Sequence, residues 1–264
     1  MWREIRLILT SKRFWGAVII MLIGFTGYAI FDWIIVYDYP PEAQPSSLQQ
    51  TIGGIFFGGV MILLPLCSSI PVGTLQVDEY KTAFAEQAII RTTMRAYLLR
   101  KLVVAFICGA AVMGVSFAIH ATCWNIIATP CDTTVNSARE IMFSEQCLYF
   151  AWQPILYSLP IYISILIGIS FCGGMWSIVS VTAACFVQDS LLAVAVPFCL
   201  YYLWHMGLFR VLLGVSSLPH PADLFNDSLT LVGIGHSLAA YAVVLIICVS
   251  LLWLRLRWRY RHAH

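Results

Sequence analysis

Six histidines, nine cysteines and thirteen carboxylates are the side chains here best suited to catalysis or metal binding. The histidines stand at positions 120, 205, 220, 236, 262 and 264. No two have the HExxH spacing that sets two imidazoles on one helix face for zinc, and no Cys-x-x-Cys pair exists. His120 and His205 read as core or interface residues, and His262 and His264 as a solvated tail. Hydrolysis of ATP through a P-loop needs Gly-Lys followed by Ser or Thr, so that the lysine reaches the phosphates from a glycine-rich turn. The lysines are Lys12, Lys81 and Lys101, and none follows a glycine. Ion coupling would need an ionisable group deep within an apolar run. Asp32, Asp189 and Arg210 instead fall near the ends of such runs, where snorkelling satisfies them.

The elements that must position these groups are set by composition. Hydrophobic residues make up 60% of the chain and charged residues 11%, with a mean hydropathy of +0.84. Ordinary soluble domains carry roughly 25% charged residues. A coat this thin could not cover so apolar a chain in water, whereas lipid as solvent removes the difficulty. Crossing the hydrocarbon core takes about 20 apolar residues. Six stretches qualify, at about 14–37, 52–72, 102–129, 155–184, 191–211 and 234–254. The predicted fold is therefore all-α: a single transmembrane domain over 1–264 with six spans. A kink is expected in the fourth span near Pro160 or Gly173–Gly174, and Pro65 and Pro197 interrupt the second and fifth. The first run is too long for the apolar region of a cleavable signal peptide.

Every lysine and arginine except Arg139 and Arg210 falls on one side of this layout: before the first span, between the second and third, or after the sixth. The positive-inside rule then predicts cytoplasmic N- and C-termini. Four segments remain outside the bilayer. Residues 1–13 read as an interfacial helix, with Trp2, Ile5, Ile8 and Leu9 on one arc and Arg3, Arg6 and Arg13 beside it. Residues 73–101 form a long cytoplasmic loop with acids first (Asp78, Glu79, Glu86) and bases last (Arg91, Arg95, Arg100, Lys101), the order that complements a helix dipole. Its length exceeds what a connection needs, which points to a docking element. Residues 130–154 and 212–233 are extracellular. Ser137 and Glu140 read there as a capping box. Cys131 and Cys147 share the first outer segment, where a disulfide is chemically permitted; two free thiols are the alternative.

Two resemblances follow. Gly168-Ile169-Ser170-Phe171 resembles the nucleophile motif of rhomboid intramembrane proteases, with His236 in the sixth span as the base that resemblance implies. Depth opposes it: Ser170 lies about 15 residues into its span, roughly 22 Å, while His236 lies near the outer end of its own. The alanine and glycine that flank the rhomboid histidine are also missing. An ion-coupled carrier is the other alternative.

The fuller resemblance is to the ABC-2 type (type-2 ABC exporter) permeases. A basic N-terminal helix, six spans and a charged loop after the second are similar to that family's layout. Arg95-Ala-Tyr97-Leu-Leu-Arg-Lys101-Leu resembles the family's opening of the third span. The resemblance implies a transport subunit that is not itself an enzyme and holds no cofactor or metal of its own. ATP and Mg would be held by two copies of a separate ATPase subunit, against which the loop would lay a coupling helix. Asp78, Glu79, Tyr80, Phe84, Glu86 and Arg91 are the implied contact residues, with Phe84 as the apolar anchor. A second permease, identical or homologous, would complete the exporter in a bacterial cell membrane, moving a peptide, antibiotic, drug or lipid-like cargo. Membrane lipid is the other expected partner, and no nucleic acid is.

Overall fold

The computed structural model describes residues 2–36, 47, 51, 60–82, 92–127, 154–187, 189–205 and 231–262. Among these the regular structure is seven helices without a strand: α1 (Trp2–Leu9), α2 (Lys12–Val36), α3 (Val60–Lys81), α4 (Met94–Ile127), α5 (Pro154–Phe186), α6 (Ser190–His205) and α7 (Leu231–His262). Four stretches are long and apolar enough to cross a membrane: Lys12–Phe31, Met94–Ile127, Ile165–Phe186 and Leu238–Trp258. The chain is a helical, membrane-embedded protein. The two other expected spans also fall on helices. However, α3 carries Gln76, Asp78, Glu79 and Lys81 in its last turns, and α6 covers 16 described residues.

The helices are apolar almost all round, yet each buries one stripe. In α2, Phe14, Val18, Met21, Phe25 and Ala29 recur every three to four residues and are buried. Ile19, Ile20, Ile23, Ile30 and Ile34 face outward, where hydrocarbon accepts them at no cost. The innermost helix is α5, which packs along α3, α4 and α6. By contrast α7 touches the bundle mainly through Tyr241, Cys248, Leu252 and Leu256.

The α4–α5 seam is set by glycine. A Cβ on Gly109 would stand 2.5 Å from the Gly173 carbonyl and 2.5 Å from Ser177 Cβ. A Cβ on Gly174 would meet the Phe106 ring at 2.5 Å and its carbonyl at 2.9 Å. Two backbones therefore lie in contact, as small residues permit between membrane helices. α5 runs as one helix through Gly173–Gly174, and these glycines serve that approach.

Serines join the next seam. Pro71 in α3 cannot donate to the carbonyl four residues back and disturbs the turn before it. Within that turn the Ser68 carbonyl accepts a hydrogen bond from Ser177 Oγ at 2.8 Å. Ser180 Oγ donates to the Ala193 carbonyl at 2.9 Å, and Asp189 caps α6 by accepting from the backbone of Leu191 and Leu192 at 2.8 and 3.1 Å.

Replacing Gly109 or Gly173 with valine should lower stability by about 1–3 kcal/mol through overpacking. Gly168→Ala is the control, because nothing lies within 4 Å of a Cβ there. Thermal unfolding in detergent measures both; equal midpoints for the valine and control variants would refute the backbone-contact seam.

Candidate functional site

A corner at Thr10–Ser11 folds α1 back onto the bundle. Thr10 Oγ1 donates to the Arg6 carbonyl at 2.9 Å, closing α1, and Ser11 Oγ accepts the Phe14 N–H at 3.1 Å, opening α2. Ile5 and Ile8 are buried against the bundle, and α1 packs on α4 and α2. Of the arc Trp2, Ile5, Ile8 and Leu9, the protein covers Ile5 and Ile8, while Trp2 stands 79% exposed.

With α1 so placed, Glu4 meets the opening turns of α4. Arg100 Nε donates to Glu4 Oε2 at 2.8 Å, and Lys101 Nζ to Glu4 Oε1 at 3.1 Å. The same ammonium lies 2.6 Å from the Glu79 carboxylate at the end of α3. Lys101 is 8% exposed and Glu79 9%. Two cations thus meet two carboxylates from three helices. At its edge, Arg13 Nη1 donates to Asp78 Oδ2 and to Thr74 Oγ1, both at 3.1 Å.

Aromatic groups enclose this centre. The Lys101 ammonium sits 5.7 Å from the Tyr97 ring, and Tyr97 Oη accepts from Gln76 Nε2 at 3.3 Å. Tyr80 Oη and Cys185 Sγ pair at 2.8 Å, tying α3 to the end of α5. Farther round the rim, the Arg95 guanidinium lies over Trp253, and Arg255 lies over Phe186 and Trp258. The basic segments that sequence places apart therefore converge on one end of the bundle.

The expected order of charge along a single loop helix does not hold. Residues 73–81 continue α3 and residues 94–101 open α4, so acids end one helix and bases begin the next. Each placement opposes its own helix dipole. Cross-pairing of Glu79 with Lys101 offsets both. Burial alone would raise the Glu4 carboxyl, but Lys101 and Arg100 outweigh it and hold it below its ordinary value of 4.5. Glu79 is the more buried of the two, so burial pushes its carboxyl up while Lys101 opposes the rise.

Of the residues expected to touch a partner, Glu79 and Tyr80 face inward and are engaged within the chain, and Asp78 is half-exposed beside Arg13. Phe84, Glu86 and Arg91 lie outside the described residues, as do Cys131, Cys147 and the side chain of His236. Ser170 lies beside Gly114 of α4. His120 is fully buried, stacked on Phe25 at 5.2 Å and edge-on to Trp124 at 6.3 Å. Its ring nitrogens have no hydrogen-bond partner among the described residues. Among these residues no cluster of ligating side chains could hold a metal. The arrangement is built to lock helices together by charge. Glu4, Arg100 and Lys101 were not anticipated as one site. The signal available was a lone acid among Arg3, Arg6, Lys12 and Arg13, which calls for cations elsewhere to hold it.

Lys101→Met should cost about 3–5 kcal/mol, because it strands the buried Glu79 carboxylate and leaves Glu4 to Arg100 alone. Adding Glu79→Gln should recover part of that loss in thermal unfolding; an unchanged cost would mean that the two residues are uncoupled. A depressed carboxyl contributes stability that is present above its unfolded pKa and is lost as pH falls through the folded one. Docking of α1 should therefore hold at pH 4.5 and above, and weaken only as pH falls through the Glu4 folded pKa, which lies below that value. Amide hydrogen exchange across residues 2–9 reads this directly, and protection unchanged well below pH 4 would exclude Glu4 as the holding group. No family model, curated protein or solved structure matches the chain, so its function has to be read from its own residues.

Proposed function

We propose that the chain is the membrane-spanning permease subunit of an ATP-driven exporter of the ABC-2 type. In this reading α2 to α7 are six spans of a bacterial cell membrane, with both termini in the cytoplasm. Two permeases pair above two ATPase subunits, which hold ATP and Mg and carry out the hydrolysis. The cargo is a peptide, antibiotic, drug or lipid-like molecule.

The observation that carries the reading is the ion cluster joining α1, α3 and α4. It anchors both ends of the stretch between Lys81 and Met94 on rigid helices, so a force on that stretch reaches three helices at once. An energy source acting from the cytoplasm needs such a lever, since the bundle interior is close-packed and transmits displacement. At Met94–Ile127, α4 is about 50 Å long at 1.5 Å per residue, against a hydrocarbon core of about 30 Å. Its opening turns therefore project from the membrane toward the proposed partner.

Because Glu79 and Tyr80 are engaged internally, the surface offered to an ATPase consists of Asp78, Lys81, Thr82 and the following segment with Phe84, Glu86 and Arg91. Phe84 is the proposed apolar anchor, with charges around it as at other protein interfaces. In this reading Ser170 is a packing residue beside Gly114 of α4.

Affinity purification of the tagged full chain in mild detergent, followed by mass spectrometry, should recover a stoichiometric subunit with Walker motifs. Phe84→Asp should reduce that recovery at least tenfold while membrane insertion stays normal. A chain that purifies alone across several detergents would overturn the permease reading.

A further inference from the structure

The exposed arc of α1 has a composition that the ion cluster does not explain. At 3.6 residues per turn, Trp2, Arg6, Arg3 and Leu7 follow one another across roughly 140° of the helix surface. Ile5, Ile8 and Glu4 occupy the opposite side and are held by the bundle. The rotation of α1 about its own axis is therefore fixed, and the arc is presented outward in a set orientation. Trp2 is 79% and Leu7 62% exposed there, flanking two arginines.

The acids close by are already committed: Glu4 to Arg100 and Lys101, and Asp78 to Arg13. Arg3, Arg6 and the neighbouring Lys12 are left without an acidic partner among the described residues. A face turned only to water would not carry a tryptophan and a leucine around its cations. An anionic surface with an apolar layer beneath it accommodates both kinds of side chain, the rings and leucines entering at headgroup level and the guanidinium groups meeting phosphate.

We infer that this arc, with Lys12, is a docking site for anionic phospholipid headgroups, so that α1 bridges the ion cluster on one side and lipid charge on the other. The site depends on the chain being embedded in a membrane and not on the identity of any ATPase. Each cation near an anionic leaflet raises affinity by roughly fivefold, so Arg3 and Arg6 together supply about 25-fold. Glu4 is a positioning residue, since it fixes which arc faces out.

The test is native mass spectrometry of the full chain in detergent, offered an equimolar mixture of phosphatidylglycerol and phosphatidylcholine. The unaltered chain should retain phosphatidylglycerol preferentially. Arg3→Gln with Arg6→Gln should erase about 25-fold of that preference, while Lys81→Gln with Arg257→Gln, which removes equal exposed charge outside the arc, should erase clearly less. Neither pair makes an ion pair among the described residues, so folding is not at stake. Equal retention of the two lipids, or equal loss in both double variants, would overturn the inference. So would displacement of the lipid by inorganic phosphate or by a poly-glutamate peptide, which would mark a simple anion site or a protein dock.

Discussion

The arrangement at the basic end turns on one ammonium group. Lys101 is almost wholly removed from solvent, and an isolated charge so placed would be costly. Two carboxylates from two other helices offset that cost, and each is committed by doing so. Glu79 can meet Lys101 only if α3 stays helical beyond its apolar part. Glu4 can meet it only if the corner at Thr10–Ser11 turns α1 back onto α4. The cluster thus fixes the length of one helix, the direction of another and the start of a third. Replacing such a group with apolar side chains of similar size is often harmless to stability, so its value lies more in specifying geometry than in net free energy.

Deeper in the bundle the same logic runs through neutral groups. Lipid offers no hydrogen bonds to a carbonyl disturbed by proline, so the protein must supply them. Ser177 donates to the Ser68 carbonyl, next to the Cys67 carbonyl that Pro71 leaves without its helix donor, and Ser180 reaches the Ala193 backbone. Both hydroxyls lie on the α5 face that carries Gly173 one turn before Ser177, where the backbones are already close. Close approach and polar repair are achieved by the same small residues, which explains why the innermost helix is also the one richest in glycine and serine along its buried face.

Much of this was legible. Apolar runs announce α2, α4, α5 and α7, because about 20 consecutive apolar residues have few other uses. Gly173–Gly174 read in the sequence as a kink, and only the facing Gly109 shows that they serve close packing. The helical continuation of α3 through Lys81 was not legible. Gln76, Asp78 and Glu79 look like a solvated loop until their partners, Tyr97, Arg13 and Lys101, are brought alongside. The α1 stripe of Ile5 and Ile8 was visible, but an apolar stripe does not say whether lipid or protein will cover it. Charge pairing across 97 residues, as between Glu4 and Lys101, leaves no local periodicity to detect.

The distribution of contacts also divides the molecule into parts with different freedom. A core of α3, α4 and α5 is held by glycine seams, serine–carbonyl bonds and the ion cluster, while among the described residues α7 lies on it by a narrow stripe. Yet α7 is not free at its inner end. Arg95 of α4 covers Trp253, and the Arg255 guanidinium reaches the Cys185 carbonyl and the Phe186 ring at the end of α5. Both contacts lie at the same end as Lys101. A helix loosely packed along its length but pinned at one end has its easiest motion as a swing about that end, since packed seams elsewhere resist sliding.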